Sequence, residues 1–335
     1  MTHVQPSSRR TARLWHHTEP HLTSIAVWAE RVENLGEDAD PLVLVERSSG
    51  RGLLAVFDGV GGAGRTLAGR DARGVDRTQA WIASRRARGL VEQWFVDGGS
   101  DSPAALLADH LADGATRRSR MRGSIHREYP TTFAGIAFNA GEGVVTWTVH
   151  WAGDSRCYFA NPSGLQQLSR DDVDGDDALE SLTQDPPMTN AVCAGRDFVI
   201  NQVVGQDRAP CLLVCATDGF FGYVDTPALF EHLLWRTLQS AQDSRHWASL
   251  LAEEVQAYTG DDASLALVAI GYDTFGRLRH AFQDRAARLT AEHAEPMSRV
   301  HANDTTGRVA ARAESWARYR AGYEHRLPDG SRSDA

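Results

Sequence analysis

Short apolar runs separated by glycine, asparagine, aspartate and proline recur from Ser24 to Ile270, and this pattern predicts a chain built mainly of β-strands. The runs are rich in β-branched and aromatic residues, which strands favour. Short polar connections at Asn139–Gly143 and Gly153–Asp154 indicate that successive strands pair antiparallel there. The predicted strands cover residues 24–30, 41–46, 52–58, 132–139, 143–152, 155–160, 197–204, 210–217 and 264–270.

Stretches with a helical period lie between the strand clusters. Ser102-Pro103 and Thr226-Pro227 each precede such a stretch, and a capping residue followed by proline is typical of a helix start. Residues 243–258 show the same period. Strands in clusters with helices between them predict an α+β fold, in which antiparallel sheets pack together and helices cover them.

The pattern changes after Gly271, where apolar residues fall on two helical stripes. The segment 276–335 contains 11 arginines and 8 acids, although the whole chain carries a net charge of −9. We therefore predict a C-terminal helical extension over residues 273–335 that packs back on a domain spanning 23–272. A partner-binding module is the alternative, and residues 1–22 are predicted to form a flexible arm. The stripe residues are Phe275, Leu278, Phe282, Ala286 and Leu289, then Val309, Trp316, Tyr319, Tyr323 and Leu327.

Composition narrows the class of protein. The net charge argues against nucleic acid as a partner. No apolar run of 18 residues exists, and the first 15 residues lack the apolar core of a leader peptide, so we expect a cytoplasmic protein without membrane contact. Four cysteines lie in apolar stretches and are expected to be buried free thiols: Cys157, Cys193, Cys211 and Cys215.

Four aspartates carry the candidate chemistry, because each lies at the edge of an apolar run beside glycine or a second acid. They are Asp58 in LLAVFDGVGG, Asp154 in HWAGDSRCYF, Asp218 in LLVCATDGFF and Asp261 in GDDASLALVAI. Glycine after the acid allows a sharp turn that leaves the carboxylate at the sheet edge. Several such edges meeting in one place would gather hard oxygen ligands, which suit Mg²⁺ or Mn²⁺. The pattern predicts a metal enzyme.

Six motifs in order, namely ED at Glu37-Asp38, DGVGG, TT, GDSR, ATDG and GDD, resemble the metal-dependent protein phosphatases (the PPM, or type 2C, family). The resemblance extends from Arg31 to Ile270, about three quarters of the chain. It implies a four-layer α-β-β-α sandwich of two antiparallel sheets with helices on both outer faces. It also implies two Mn²⁺ or Mg²⁺ ions in the cleft where the ends of the sheets separate.

The resemblance also implies roles for individual residues. Asp58 would bridge both ions, and water bound to the ions would attack phosphorus in line without a covalent intermediate. Arg31 would clamp the phosphate, since its guanidinium fork matches phosphate oxygens. The implied metal ligands and their supports are Asp58, Gly59, Asp218, Asp261, Asp38, Glu37 and Asp154.

The chain departs from the family pattern at two positions that concern the site. Val60 stands where the animal enzymes carry histidine, and Gly222 stands where the family usually has an aspartate for a third ion. Asp154, the other usual ligand of that ion, is present, and a loop shift could bring Asp225 in as a replacement. The resemblance thus implies two ions and leaves the third in doubt.

The implied activity is hydrolysis of phosphoserine and phosphothreonine in proteins, opposing a serine/threonine kinase. One alternative is a pseudophosphatase, a scaffold or regulatory binding protein whose C-terminal helices engage a partner. Another keeps the chemistry but acts on a small phosphate ester. Intact Asp58, Asp218 and Asp261 favour catalysis, whereas Gly222 is the change that favours the pseudoenzyme.

Overall fold

The computed structural model describes residues 12–99, 101–113, 128–175, 178–181, 186–301 and 303–328. Its strands are β1 (Ala12–Glu19), β2 (Leu22–Ala29), β3 (Leu42–Glu46), β4 (Arg51–Val56), β5 (Leu67–Arg70), β6 (Asp76–Thr78), β7 (Glu128–Thr131), β8 (Phe133–Gly141), β9 (Val144–Ala152), β10 (Arg156–Asn161), β11 (Gly164–Gln167), β12 (Val192–Ala194), β13 (Asn201–Arg208), β14 (Cys211–Ala216) and β15 (Ala263–Ile270).

The helices lie between and after these strands. They are α1 (Gly61–Gly64), α2 (Gln79–Val96), α3 (Ala104–His110), α4 (Ala178–Ser181), α5 (Asp218–Phe221), α6 (Pro227–Ser240), α7 (Ser244–Tyr258), α8 (Phe275–Ala281), α9 (Gln283–Leu289), α10 (Glu295–Ser298) and α11 (Thr305–Tyr323), with a π-helical turn at Thr290–Ala294. No described helix is both long enough and apolar enough to cross a membrane.

Two large antiparallel sheets form the body of the molecule. One has six strands in the order β1-β2-β15-β14-β10-β11, and the other has five in the order β13-β9-β8-β4-β3. Every neighbouring pair in both sheets runs antiparallel. The two large antiparallel sheets, together with the surrounding helices and the C-terminal helices, confirm the predicted α+β fold class.

Apolar side chains on both faces of the strands explain why the strand sequences are almost continuously apolar. Leu54 and Leu213 point into a core shared by the two sheets. Their neighbours Leu53 and Leu212 point outward, because successive side chains of a strand alternate between its faces. Helices α6 and α7 pack over Leu212 on the six-stranded sheet, and α2 packs over Leu53 on the five-stranded sheet.

The N-terminal segment differs from the prediction. Residues 12–19 form β1, which pairs with β2 in the register Ala12↔Ala29, so the flexible arm predicted over residues 1–22 is wrong for this part. β1 is an edge strand with exposed Leu14 and Trp15, and it therefore lacks the alternation of buried and polar residues that marks a strand. Residues 1–11 lie outside the described part of the chain.

The turn at Gly153–Asp154 also differs from the prediction. It was expected to join two paired strands, but β9 belongs to the five-stranded sheet and β10 to the six-stranded sheet. The chain therefore crosses between sheets here, with Gly153 at a φ of 103° that favours glycine. A side chain at Gly153 would lie 2.8 Å from Cγ2 of Thr132. The crossing leaves Asp154 between the two sheets' ends.

Helices follow Gly271, as the two apolar stripes predict. Phe282 and Leu289 are buried beneath α6, and Trp316, Tyr319 and Tyr323 of α11 belong to the same core. Val309 is the exception among the stripe residues, since 59% of it is exposed. The helices thus pack on the sheet domain, while the domain boundaries remain predictions and residues 329–335 lie outside the description.

Candidate active site

Asp58 lies in a sharp turn just beyond the end of β4, and a pair of threonines fixes its backbone. Thr131 Oγ1 and Thr132 N donate to the Asp58 carbonyl at 2.7 and 2.8 Å. The Asp58 amide donates to Thr132 Oγ1 at 3.1 Å. These bonds satisfy the backbone groups that the strand leaves unpaired. The Asp58 side chain is thereby held in one place at the sheet edge.

Gly59 allows this turn to approach the loop that carries Glu37 and Asp38. A Cβ atom on Gly59 would lie 2.6 Å from the Glu37 carbonyl oxygen and 2.9 Å from the carbonyl oxygen of Ala80. Both distances are shorter than real Cβ contacts, so this approach requires glycine. The DG sequence therefore serves to bring two acidic segments together.

Asp154 and Asp218 join Asp58 from the other strand ends. Asp218 is the first residue of α5, which begins directly after β14, and Asp154 lies in the turn that crosses between the sheets. Burial, followed by the charges of Asp38, Asp154 and Asp261, raises the pKa of Asp58 well above its ordinary value. Burial and then the charges of Asp58, Asp154 and Asp261 do the same to the pKa of Asp218. Four predicted ligands are therefore close neighbours.

Asp38 lies buried beneath this cluster. Thr217 Oγ1 donates to its carboxylate at 3.0 Å. Burial raises the pKa of Asp38 well above its ordinary value, and the charge of Asp262 adds to the effect. After burial, the charge of Asp38 is the largest cause of the raised pKa of Asp58, so the two acids are close neighbours.

Asp262 has a structural role that sequence reasoning did not assign. Its carboxylate accepts from the backbone amides of Arg31 at 2.7 Å and Glu37 at 2.6 Å. The neighbouring Asp261, which is exposed, accepts from the Asp262 amide at 2.9 Å. In the GDD motif the first acid adds to the negative charge around Asp58 and Asp218, while the second, buried acid fixes the loop from residue 31 to residue 37.

Arg31 lies on the rim of the site, since its amide is bound by Asp262 and its side chain is exposed.

Arg85 of α2 was not predicted as a site residue, and it binds the backbone of the same loop. Its guanidinium donates to the carbonyls of Gly36 at 3.0 Å and Glu37 at 3.2 Å, and burial lowers its pKa to about 10. Burial raises the pKa of Glu37, and a hydrogen bond from Thr78 partly offsets this rise.

The donor chemistry of the cluster fits a divalent cation. All the predicted ligands offer oxygen, and their mutual repulsion is what a bound dication would relieve. Among the described residues, no three acidic, histidine or cysteine side chains are already closed around one point. The fit therefore rests on the type of ligand and on the shared negative charge.

Asp225 does not point to the cluster. Arg308 Nη2 donates to both of its carboxylate oxygens at 2.7 Å, and Arg312 Nε donates to Oδ1 at 2.8 Å. The suggestion that Asp225 replaces the missing acid at Gly222 is therefore wrong for this conformation. Gly222 itself lies close over the Asp218 carbonyl, 2.8 Å from where a Cβ would be.

No protein-family model and no curated protein sequence matches the chain. Its fold is similar to that of the serine/threonine phosphatase Stp1 from Staphylococcus aureus, with 17% identity, a TM-score of 0.48 and coverage of 81% of this chain and 98% of that one. The fold is also similar to that of the PPM Ser-Thr phosphatase MsPP from Mycobacterium smegmatis, solved in complex with cacodylate. The identity is 18% and the TM-score 0.48, with coverage of 78% of this chain and 98% of that one.

RsbX in complex with magnesium is also similar, with 14% identity, a TM-score of 0.47 and coverage of 77% of this chain and 100% of that one. The solved structures similar to this chain thus include bacterial phosphatases of the PPM type. Similarity at this level does not transfer a function.

Proposed function

We propose that this chain is a metal-dependent protein phosphatase of the PPM type that hydrolyses phosphoserine and phosphothreonine in proteins, opposing a serine/threonine kinase. The observation that carries the proposal is the meeting of Asp58, Asp154 and Asp218 from the ends of both sheets, with Asp38 buried beneath them. Such a concentration of acids disfavours folding unless it serves a cation. The acids lie at the ends of strands from both sheets, and this position supports the family resemblance of the six motifs.

The residues that would hold two Mn²⁺ or Mg²⁺ ions follow from this arrangement. Asp58 would bridge the ions with help from the Gly59 carbonyl, and Asp218 and Asp261 would complete the shell of the second. Asp38 and Glu37 would support them from the loop that Asp262 and Arg85 fix. When bound, the ions would lower the pKa of a water molecule and neutralise the phosphate charge.

The remaining residues bind and orient the substrate. Arg31 offers an exposed guanidinium at the rim, which can pair bidentately with phosphate oxygens. Val60 has no proton to donate, and water could protonate the leaving group instead. The four cysteines are buried and free, and the mechanism uses none of them.

We propose two ions rather than three. Asp154 could serve a third ion, but Gly222 supplies no carboxylate and Asp225 is occupied by two arginines. The missing carboxylate at Gly222 also favours the alternative of a pseudophosphatase, a scaffold or regulatory binding protein with the same fold. The two functions are separated by activity and not by metal binding alone.

The test is hydrolysis of p-nitrophenyl phosphate and of a phosphothreonine peptide, with Mn²⁺ or with EDTA. We expect turnover of both substrates with Mn²⁺ and none with EDTA. Asp58→Asn should retain less than a tenth of the rate, equivalent to at least about 1.4 kcal/mol in the barrier. Asp76→Asn is the matched control, since this exposed acid pairs with Arg70 on the surface.

The outcomes separate the alternatives. Turnover of p-nitrophenyl phosphate without turnover of the peptide would favour a small phosphate ester as substrate. Binding of Mn²⁺ without turnover of either would favour the pseudophosphatase. Undiminished turnover in EDTA, or by Asp58→Asn, would exclude the two-ion mechanism.

A further inference from the structure

Helix α11 forms ion pairs with the loop that follows Asp218. Asp225 is held by Arg308 and Arg312, which lie one helical turn apart on α11. Only 18% of the Asp225 side chain is exposed, compared with 31% of each arginine, so the three groups form a partly buried ion pair. Such a pair is stronger than an exposed one because solvent screens it less.

A second contact follows directly in sequence. Thr226 is fully buried, and its Oγ1 lies 3.3 Å from Oγ of Ser315 on the same helix. Ser315 Oγ in turn lies 2.8 Å from Nδ1 of His293 in the π-helical turn. The loop from Asp218 to Thr226 is thus fixed to the C-terminal helices at its far end, while its near end carries a proposed metal ligand.

α11 also reaches the GDSR turn. The buried guanidinium of Arg156, two residues after Asp154, donates to Tyr323 Oη at 3.3 Å and to Asp171 at 2.6 and 2.9 Å. The same guanidinium lies 4.2 Å over the ring of Phe221, three residues after Asp218. One end of α11 therefore touches the turn of Asp154 and the helix of Asp218 through a single arginine.

We propose that α11 is a positioning element for the metal centre, which sets the loop after Asp218 through Asp225 and the GDSR turn through Tyr323. The proposal rests on the proposed function only in that the acids bind a divalent ion. Residues that orient metal ligands control affinity although they do not touch the ion. An element appended after residue 272 would in this way contribute to a site built entirely from earlier residues.

The experiment measures Mn²⁺ binding to the full chain by isothermal titration calorimetry. We expect Arg308→Gln/Arg312→Gln, and separately Asp225→Asn, to weaken binding by roughly tenfold or more. Combining the three substitutions should weaken it no further, because they remove one interaction. Tyr323→Phe tests the second contact and should also weaken binding. Arg299→Gln/Arg318→Gln is the control, because it removes two charges from the same extension whose partners, Glu295 and Glu314, lie on their own helices.

Unchanged Mn²⁺ affinity in the Asp225→Asn and Arg308→Gln/Arg312→Gln variants, or equal weakening in the control, would overturn the proposal. A wild-type chain that binds no Mn²⁺ would overturn it together with the metal centre. A wild-type chain that binds Mn²⁺ but hydrolyses no phosphate ester would exclude the phosphatase and leave the affinities to decide the role of α11. If the double variant does not fold, Asp225→Asn keeps α11 intact and gives the answer.

Discussion

Thr132 is the side chain that joins two of the acidic turns. Its hydroxyl accepts from the Asp58 amide and lies 2.7 Å from Oγ of Ser155, the residue after Asp154. Because the hydroxyl is fully buried, neither partner can turn to water if it is lost. Two proposed ligands thus depend on one group that touches no substrate.

Replacing this hydroxyl by a methyl group should loosen both turns. Thr132→Val keeps the shape of the side chain but leaves the Asp58 amide without its acceptor, which we expect to cost about 1–3 kcal/mol of unfolding free energy. Binding of Mn²⁺ should weaken as well, and calorimetry measures this. Thr237→Val is the control, since its buried hydroxyl bonds to Leu233 O within α6. The control should lose stability and keep its metal affinity, and equal metal affinity in both variants would contradict the role of Thr132.

Sequence reasoning found the residues that resemble ligands and missed those that hold them. The site acids can be recognised in the sequence because each lies at the edge of an apolar run beside glycine or a second acid. The partners of Asp262 are backbone amides of residues 31 and 37, more than 200 positions away, so nothing local marks its role. The same holds for Asp225, whose partners lie 83 and 87 residues further along. Such contacts exist only once the chain has folded.

At the scale of elements, the DGVGG turn contains glycines of different importance. A Cβ on Gly59 would press against two backbone oxygens, whereas one on Gly62 would meet nothing within 4 Å. Gly59→Ala should therefore destabilise the protein by about 1–3 kcal/mol and lower its activity, because the loop of Glu37 must move. Gly62→Ala, three residues away, should be neutral or stabilise by up to about 1 kcal/mol. Urea unfolding and the phosphatase assay measure both, and equal effects would show that the close approach does not matter.

Most strands of the two sheets were predictable because turn residues bound their apolar runs, whereas the edge strands β1 and β11 were not predicted. The helix α2 was not predicted, since the buried face of its first half consists of small residues, as at Ala80, Ala83 and Ala87, and arginines interrupt the apolar pattern. The crossing at Gly153 was misread because a short polar turn has the same sequence whether the next strand joins the same sheet or another. Which sheet a strand joins depends on distant partners, here β14 for β10.

At the scale of the whole molecule, the acid cluster opposes folding unless a cation is present. Burial raises the pKa values of Asp38, Asp58 and Asp218 above their ordinary range. A carboxyl group whose folded pKa is raised stabilises the fold only while it is protonated. Its contribution is full below the ordinary pKa, near 4, and is lost as the pH rises through the folded value. Without metal, this term therefore makes the protein less stable as the pH rises.

Buried histidines act in the opposite direction and must be separated from this effect. Burial lowers the pKa of His150 to about 4, so its contribution to stability is lost as the pH falls below about 6.5, where the unfolded chain binds a proton. A direct comparison of one protein at two pH values would mix the two effects. The difference between the wild type and a single acid variant removes the histidine contribution, because both proteins share it.

Asp58→Asn should thus change the sign of its effect with the metal. In metal-free protein at pH 7.5 the variant should melt higher than the wild type, by about 1–2 °C for each 1 kcal/mol of relieved repulsion. At pH 5 the difference should be smaller, since the raised pKa of Asp58 lets its carboxyl group take up a proton as the pH falls. With saturating Mn²⁺ the wild type should melt higher, because only its native state binds two ions tightly. Differential scanning fluorimetry measures all three conditions, with Asp76→Asn as a control that should show no reversal. A variant that melts below the wild type in EDTA at pH 7.5 would show that Asp58 is stabilised by its surroundings, which is incompatible with a cluster arranged to hold cations.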